Sequence, residues 1–308
     1  MIAPAGHATT TPGFKRLEGL IAAPFTPFDA KGDVHLPEIE KQVALLAGTG
    51  VWGAYVSGTT GEGLSCSVAE RKAVMDEWVR LGKGRLFLIV HAGALSIRDA
   101  QELAAHAQAI GADATSVVPA SFFRPGSVET LVDYVAEIAA AAPALPFYYY
   151  HTTMSGVGLP MVRFLEVAGG RIPNFAGLKF NSPDLHEYQN CLRACGGRYD
   201  ISWGVDEFFA GAVALGARSA IGSTYNYAAP LYRQIWRDVE EGRLDAARAG
   251  MVKVCRIVDL LVQYGGIAAG KAMMAIHGVD VGDVRLPLKA LTADQKRDIV
   301  AALRAILG

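Results

Sequence analysis

The stretch LLAGTGVWGAYVSG, Leu45 to Gly58, runs from an apolar-periodic helix through glycine into a short apolar strand. The passage recurs. AQAIGADATSVVP (Ala107 to Pro119) and ALGARSAIGST (Ala214 to Thr224) make the same transition. Glycine just past a helix suits the left-handed position that closes its last turn, and the Val, Ala and Ile that follow favour a buried strand. A recurring helix–glycine–strand step implies a chain built from β/α units.

Counting outward from these anchors gives strands at Leu20–Phe25, Gly53–Ser57, Leu86–His91, Thr115–Pro119, Phe147–Tyr150, Ala176–Phe180, Ile201–Gly204 and Ala220–Ser223. Helical patterns such as Leu36–Ala47, Val68–Leu81, Ile97–Ile110 and Val128–Ala141 lie between them. Eight alternating units over roughly 220 residues predict an α/β fold, a parallel (β/α)8 TIM barrel. A doubly wound sheet is the competitor, but no Gly-x-Gly-x-x-Gly follows the first strand. Three more helices follow the eighth unit: Leu244–Val262, Ala268–Ile276 and Ala293–Leu307. No linker detaches them. The expected organisation is a flexible lead at 1–16, the barrel at 17–231, and a C-terminal helical extension at 232–308 packed on the barrel.

The 308 residues are 51% hydrophobic and 19% charged, with 29 Lys plus Arg against 30 Asp plus Glu. A chain this long can bury roughly 75% of its unfolded surface. No block of like charge offers a footprint for nucleic acid or an anionic membrane, so a small molecule is the expected partner. The longest uncharged run, 138–162, is broken by Pro143, Pro146, Gly156 and Pro160 and does not read as a membrane span. Cys66, Cys191, Cys195 and Cys255 follow no zinc spacing, and Cys191 and Cys195 are expected on one helix. Free thiols suit a reducing compartment, and the expected location is the cytoplasm.

In such a barrel the chemistry gathers at the C-terminal ends of the strands. Strand two delivers SGTTGEG (Ser57 to Gly63), strand five FYYYH (Phe147 to His151), and strand six Lys179 within NFAGLKFNS. Strand seven delivers GVDE (Gly204 to Glu207) and strand eight GSTYN (Gly222 to Asn226). A lone lysine in a short apolar strand allows two readings: its head reaches water at the strand end, or the amine is kept dry as a nucleophile. An exposed lysine, pKa ~10.4, is neutral in only about one molecule in 10³ to 10⁴ at pH 7. Burial that lowers it to ~8 makes on the order of a tenth nucleophilic. An imine with a 2-oxo acid is then an electron sink for breaking a neighbouring C–C bond, and a tyrosine beside it can carry the proton. Hydroxyls and amides of a Gly/Thr turn suit the substrate carboxylate.

These five motifs, in order and in register from Leu20 to Leu288, resemble the dihydrodipicolinate synthase / N-acetylneuraminate lyase superfamily. The resemblance implies a class I aldolase barrel, a homotetramer, with Lys179 as Schiff-base lysine, Tyr150 as catalytic tyrosine, and Thr59 and Thr60 in the pyruvate-carboxylate loop. The synthase branch carries an arginine soon after the tyrosine; YHTTMSGVG has none before Arg163. Where that branch places a second tyrosine, ASFFRPG offers Phe122 and Phe123. The chain is more similar to the lyase branch, which cleaves N-acetylneuraminate to N-acetylmannosamine and pyruvate. By that likeness Gly204, Asp206, Glu207 and Ser223 face the sugar hydroxyls, and Asn181 joins them where a small hydroxyl residue is usual. Thr152-Thr153-Met154 is a further departure, one residue shorter than the lyase pattern.

Other readings stay beside these. Asp206 and Glu207 read equally as a cap for a helix starting near Phe208. Glu62, in a TGEG turn, is expected to fix the loop by bonding backbone amides. His151 reads as a hydrogen-bonded neighbour, and at least one of Tyr148 and Tyr149 as barrel wall. No cofactor is called for, and no His/Asp/Glu cluster has metal spacing. The alternatives in function are an aldolase or dehydratase for another 2-keto-3-deoxy sugar acid, and a non-catalytic 2-oxo acid sensor.

Overall fold

The structure, a computed structural model, describes residues 14–308. Residues 1–13 of the expected flexible lead therefore lie outside the described part. Eight parallel strands close into a ring in chain order: β1 (Gly19–Ala22), β2 (Gly53–Val56), β3 (Phe87–His91), β4 (Ala114–Val117), β5 (Phe147–Thr152), β6 (Phe175–Asn181), β7 (Asp200–Trp203) and β8 (Ser219–Gly222). β8 returns to β1 with Leu20 opposite Ala220. The expected TIM barrel is what forms.

Seven helices separate the strands: α1 (Glu38–Gly48), α2 (Val68–Gly82), α3 (Ile97–Ala109), α4 (Val128–Ala139), α5 (Met161–Arg171), α6 (Leu185–Arg193) and α7 (Phe209–Ala214). Their starts are written locally. Ser67 and Glu70 form a reciprocal capping box on α2, and Ser96, Ser127 and Asp184 cap α3, α4 and α6. Each such cap supplies a partner for an otherwise orphaned amide and contributes about 1 kcal/mol. α8 (Tyr225–Glu240) completes the eighth unit, and α9 (Leu244–Gln263), α10 (Ile267–Met273) and α11 (Ala293–Leu307) follow it. α9 packs along α8, and α10 and α11 pack on each other. α8 passes through Pro230 and across residues 231 and 232; the irregularity this causes is confined to Ala228.

Several boundaries differ from expectation for local reasons. β1 stops at Ala22 rather than Phe25, because Pro24 has no N–H to give the ladder. β5 runs to Thr152, two residues past the expected end, where it pairs with Asn181. Cys195 does not share a helix with Cys191: α6 ends at Arg193, and Cys195, Gly196 and Gly197 all take positive φ. Cys191 is buried and Cys195 exposed. The uncharged run 138–162 folds as the end of α4, then β5, a turn and the start of α5. Among the described residues no helix is long and apolar enough to cross a membrane.

Strand alternation sorts side chains into two cores. Ile21, Tyr55, Ile89, Ala114, Tyr148, Tyr150 and Ala176 fill the barrel, while Tyr149, Leu178 and Phe180 pack outward against the helices. Tyr149 is thus the barrel-wall tyrosine, its ring tilted against that of Phe164 with centroids 4.5 Å apart. The floor of the barrel is polar. Asp200 accepts from the Tyr148 hydroxyl (3.0 Å), the Leu17 amide (3.1 Å) and Arg16 (3.3 Å). Burial raises the Asp200 carboxyl, and those donors oppose the rise.

One irregularity in β6 decides which way its lysine points. Phe147 pairs with Phe175 but Tyr148 pairs with Gly177, so Ala176 is an extra residue. Ala176 faces the barrel interior, and strict alternation would then send Lys179 outward. The extra residue reverses the phase, and Lys179 faces in. Only glycine fits beside the bulge, because a Cβ on Gly177 would lie 1.9 Å from the Asp200 carbonyl oxygen.

Candidate active site

Lys179 and Tyr150 are cross-strand partners on β6 and β5. The lysine is only 5% exposed, so of the two placements its strand allows it takes the dry one. Its Nζ lies 4.1 Å from the centre of the Tyr150 ring and 4.5 Å from that of Tyr55. A cation over two aromatic faces is held by their quadrupoles. Among the described residues, no carboxylate lies within ion-pair distance of Lys179.

The Tyr150 phenol is 2% exposed and receives the side-chain amide of Asn181 at 3.1 Å. Burial pushes its pKa up. The Lys179 ammonium and hydrogen bonds with Thr59, Asn181 and Thr152 outweigh that and hold it below the ordinary 10.0. The site therefore makes the phenolate, the form that would accept a proton, easier to reach than in a free tyrosine.

Beneath this pair lies a buried layer whose residues the sequence shows only as members of strands. The Tyr55 hydroxyl donates to Ser116 Oγ at 2.8 Å. His91, at the end of β3, donates from Nδ1 to the Ser57 carbonyl (3.2 Å) and accepts the Val118 amide at Nε2 (3.1 Å). Both ring nitrogens are thus used by a neutral imidazole. Burial, Arg71 and Lys179 push its pKa well below 6.5. In the sequence Tyr55 stands out only as a strand residue two positions before the SGTTGEG turn.

The Ser57–Ser65 turn rises above this layer. Thr59 is exposed at the mouth and Thr60 half-buried. The turn closes on itself through Glu62 N to Thr59 O (3.0 Å) and Gly63 N to Gly58 O (3.1 Å). Glu62 does bond a backbone amide, that of Arg285 at 2.9 Å, but the amide belongs to the C-terminal extension rather than to the turn.

The remaining candidates divide. Gly204 and Ser223 are half-buried at the ends of β7 and β8, and Glu207 is exposed. Asp206 is buried, and its Oδ2 accepts the Thr224 hydroxyl (2.6 Å) and amide (3.2 Å). A Cβ on Gly222 would lie 2.0 Å from Asp206 Oδ1, so the carboxylate rests on the bare backbone of β8. Burial raises the Asp206 pKa, opposed by bonds from Thr224 and Tyr225. Asp206 and Glu207 do not cap the helix that follows them, since neither side chain makes a capping bond there. Asp206 instead fastens β7 to the start of α8.

His151 is buried, faces Phe180 (5.0 Å between rings) on the outer side of the barrel, and is pushed down to about 4 by burial. Phe122 and Phe123 stand 79% and 85% exposed on the β4–α4 loop, ring against ring, with Met154 exposed on the β5–α5 turn. Among the described residues, no group of three or more His, Cys, Asp or Glu is placed to hold a metal ion.

Fold and site together define a (β/α)8 barrel whose open end gathers a buried lysine, a tyrosine with a lowered pKa and a hydroxyl-bearing turn. The chain belongs to the dihydrodipicolinate synthetase family, whose model matches residues 16–306. It is 39% identical over 298 residues to N-acetylneuraminate lyase of Rattus norvegicus, covering 95% of this chain and 93% of that one. Among solved structures it is similar to Proteus mirabilis N-acetylneuraminate lyase, with 53% identity, TM-score 0.94, and coverage of 95% and 99%. It is also similar to a sialic acid aldolase of Ruminococcus gnavus, with 30% identity, TM-score 0.89, and coverage of 95% and 98%.

Proposed function

We propose that this enzyme is a class I lyase that cleaves N-acetylneuraminate to N-acetylmannosamine and pyruvate through an imine on Lys179. The observation that carries the reading is the Lys179–Tyr150 pair: a dry amine 4.1 Å from the ring of a phenol that ionises more readily than a free tyrosine. The lyase relatives support the substrate, and a homotetramer in the reducing cytoplasm is the proposed setting.

The sequence of steps follows from the placement. Tyr150 takes a proton from the Lys179 ammonium, and the neutral amine attacks the C2 carbonyl of the open-chain 2-oxo acid. The carbonyl oxygen takes one proton from the attacking nitrogen and one back from Tyr150 and leaves as water, giving an iminium. Tyr150, again a phenolate, takes the C4 hydroxyl proton. The C4 oxygen's electrons form the aldehyde carbonyl as the C3–C4 pair flows into the iminium, leaving an enamine. Protonation of C3 by Tyr150 and hydrolysis by water then release pyruvate and restore the lysine. General acid–base transfer of this kind contributes about 10²–10⁴-fold. Thr59, Thr60 and the turn amides hold the substrate carboxylate without placing another full charge beside the amine. Asn181, Gly204, Glu207 and Ser223 face the sugar half, with Asp206 holding the frame beneath them.

The test is borohydride reduction in the presence of pyruvate. One three-carbon adduct should form, on Lys179, and Lys179→Ala should abolish both it and pyruvate release from N-acetylneuraminate. An adduct on another lysine refutes the assignment. Trapping without cleavage of N-acetylneuraminate, but with cleavage of another 2-keto-3-deoxy acid, moves the substrate and leaves the chemistry.

A further inference from the structure

The protein has a second buried lysine, one that the reaction does not use. Lys271 lies on α10, and its Nζ is 2.8 Å from Glu62 Oε1, with both side chains 1% exposed. Its remaining contacts are the Asp283 carbonyl at 2.8 Å and the face of Phe28 at 4.1 Å. Unlike Lys179, this amine is paired with a carboxylate and a carbonyl. The other oxygen of Glu62 takes the Arg285 amide, and the Arg285 guanidinium bonds Gly32 O, Ser65 O and Glu70 while stacking 4.3 Å over the same Phe28.

Glu62 is also strained. It sits at φ 50, ψ 30, a left-handed conformation with no glycine to ease it. Such a residue persists where its surroundings over-determine it, and here they are a buried ion pair and an amide from the C-terminal extension. Glu62 stands three residues beyond Thr59 and is tied to it through the backbone. Whatever fixes Glu62 fixes the turn.

We infer that the Lys271–Glu62 pair is a latch, through which the C-terminal extension holds the Thr59–Thr60 turn in the shape that receives the 2-oxo acid carboxylate. Both are positioning residues and neither touches substrate. The inference rests on the reading of that turn given above. It explains why a helical extension outside the eight β/α units belongs to the catalytic unit. It also assigns the two buried lysines opposite tasks, one to react and one to hold.

The latch predicts a split between affinity and turnover. Removing one partner leaves a buried charge uncompensated, whereas removing both is milder. A misplacement of an ångström can cost about 10²-fold in the step it serves. The experiment uses the full chain and reads the pyruvate concentration that half-saturates borohydride trapping at Lys179, together with kcat for cleavage at saturating substrate. In Lys271→Met and in the isosteric Glu62→Gln, half-saturation should rise about 10- to 100-fold, while kcat read on the high-pH plateau, where a weakened Thr59–Tyr150 bond no longer limits ionisation, stays within about threefold. Lys271→Arg should recover most of the affinity, and the double variant Lys271→Met/Glu62→Gln should lie nearer wild type than Lys271→Met alone. Unchanged half-saturation in Glu62→Gln overturns the latch. So does a parallel loss of affinity and kcat that tracks the unfolded fraction seen by circular dichroism, because the pair then serves only stability. If Lys271→Met does not fold, Glu62→Gln and Lys271→Arg carry the comparison. Failure of wild type itself to form an adduct on Lys179 would instead sink the underlying reading.

Discussion

Replacing Asn181 with alanine separates the proton chemistry of Tyr150 from the rest of the site. The Asn181 amide donates to the phenol oxygen at 3.1 Å, and Thr59, Thr152 and Lys179 act on the same oxygen in the same sense. The other ring neighbours are Tyr55 at 5.9 Å, itself raised well above 10.0 by burial, and His91 at 6.3 Å, whose pKa is pushed well below 6.5. Neither changes charge near neutrality. A hydrogen bond to a charged oxygen contributes about 1.5–3 kcal/mol, and a neutral phenol keeps part of it. At about 1.36 kcal/mol per unit, losing the preference for the ionised form should raise the Tyr150 pKa by about one unit. The sign follows from the mechanism. If the phenolate accepts the C4 proton, the rate climbs with pH through the Tyr150 pKa, which in the native enzyme lies below 10.0. In Asn181→Ala the climb should move to higher pH by about one unit, with the plateau partly restored above it. Single-turnover pyruvate release across the pH range isolates this step from product release. A uniform drop at every pH, with the limb unmoved to within about 0.3 unit, would refute the reasoning and leave Asn181 as a wall of the sugar pocket.

Three further outcomes are expected. Tyr150→Phe should still form the borohydride-trapped imine but lose about 10²–10⁴-fold in cleavage; a variant within about threefold of wild type removes Tyr150 from proton transfer. Glu207→Ala should weaken cleavage of a long polyol acid about 10-fold and leave pyruvate trapping unchanged, whereas Asp206→Ala should also lower the melting temperature, since it strands the buried Thr224 donors at a cost of about 1–3 kcal/mol. Identical behaviour of the two variants contradicts the division drawn between them. His151, held at about 4 against an ordinary 6.5, stays neutral in the fold, so the unfolded chain binds more protons between those values. Stability should be full above pH 6.5 and fall by up to about 3 kcal/mol as pH drops to 4, and urea unfolding of His151→Phe should lack that share of the slope.

The barrel was legible because its signal is local and repeated. Each helix–glycine–strand step is written within a dozen residues, and caps such as Ser67 with Glu70 need only one turn. Lys179 was legible for the opposite reason: a charge in an apolar strand stands out against its surroundings. The neighbours that shape its environment did not stand out. Tyr55 and Ser116 look like ordinary strand residues, and only barrel closure sets them beneath the amine. Glu62 and Lys271 come from far apart in the chain, and nothing at either position announces a partner.

The least legible feature is also the one on which the site turns. Inward-facing residues of β6 should alternate, and Ala176 with Lys179 breaks that rule by one residue. The sequence FAGLKFN carries a hint in Gly177, but glycine in a strand signals a bulge, a bend or a close approach without saying which. Here it permits the close approach to Asp200, and the Asp200 carboxylate is itself tied to Tyr148, Leu17 and Arg16 at the barrel floor. The phase of the strand, and hence the direction of the lysine, is thus set at the end of the barrel opposite the chemistry. A strand read without its bulge would have sent Lys179 toward the helices, where Leu178 and Phe180 now pack. What makes the lysine available for chemistry is therefore one extra backbone residue below it as much as the apolar run around it.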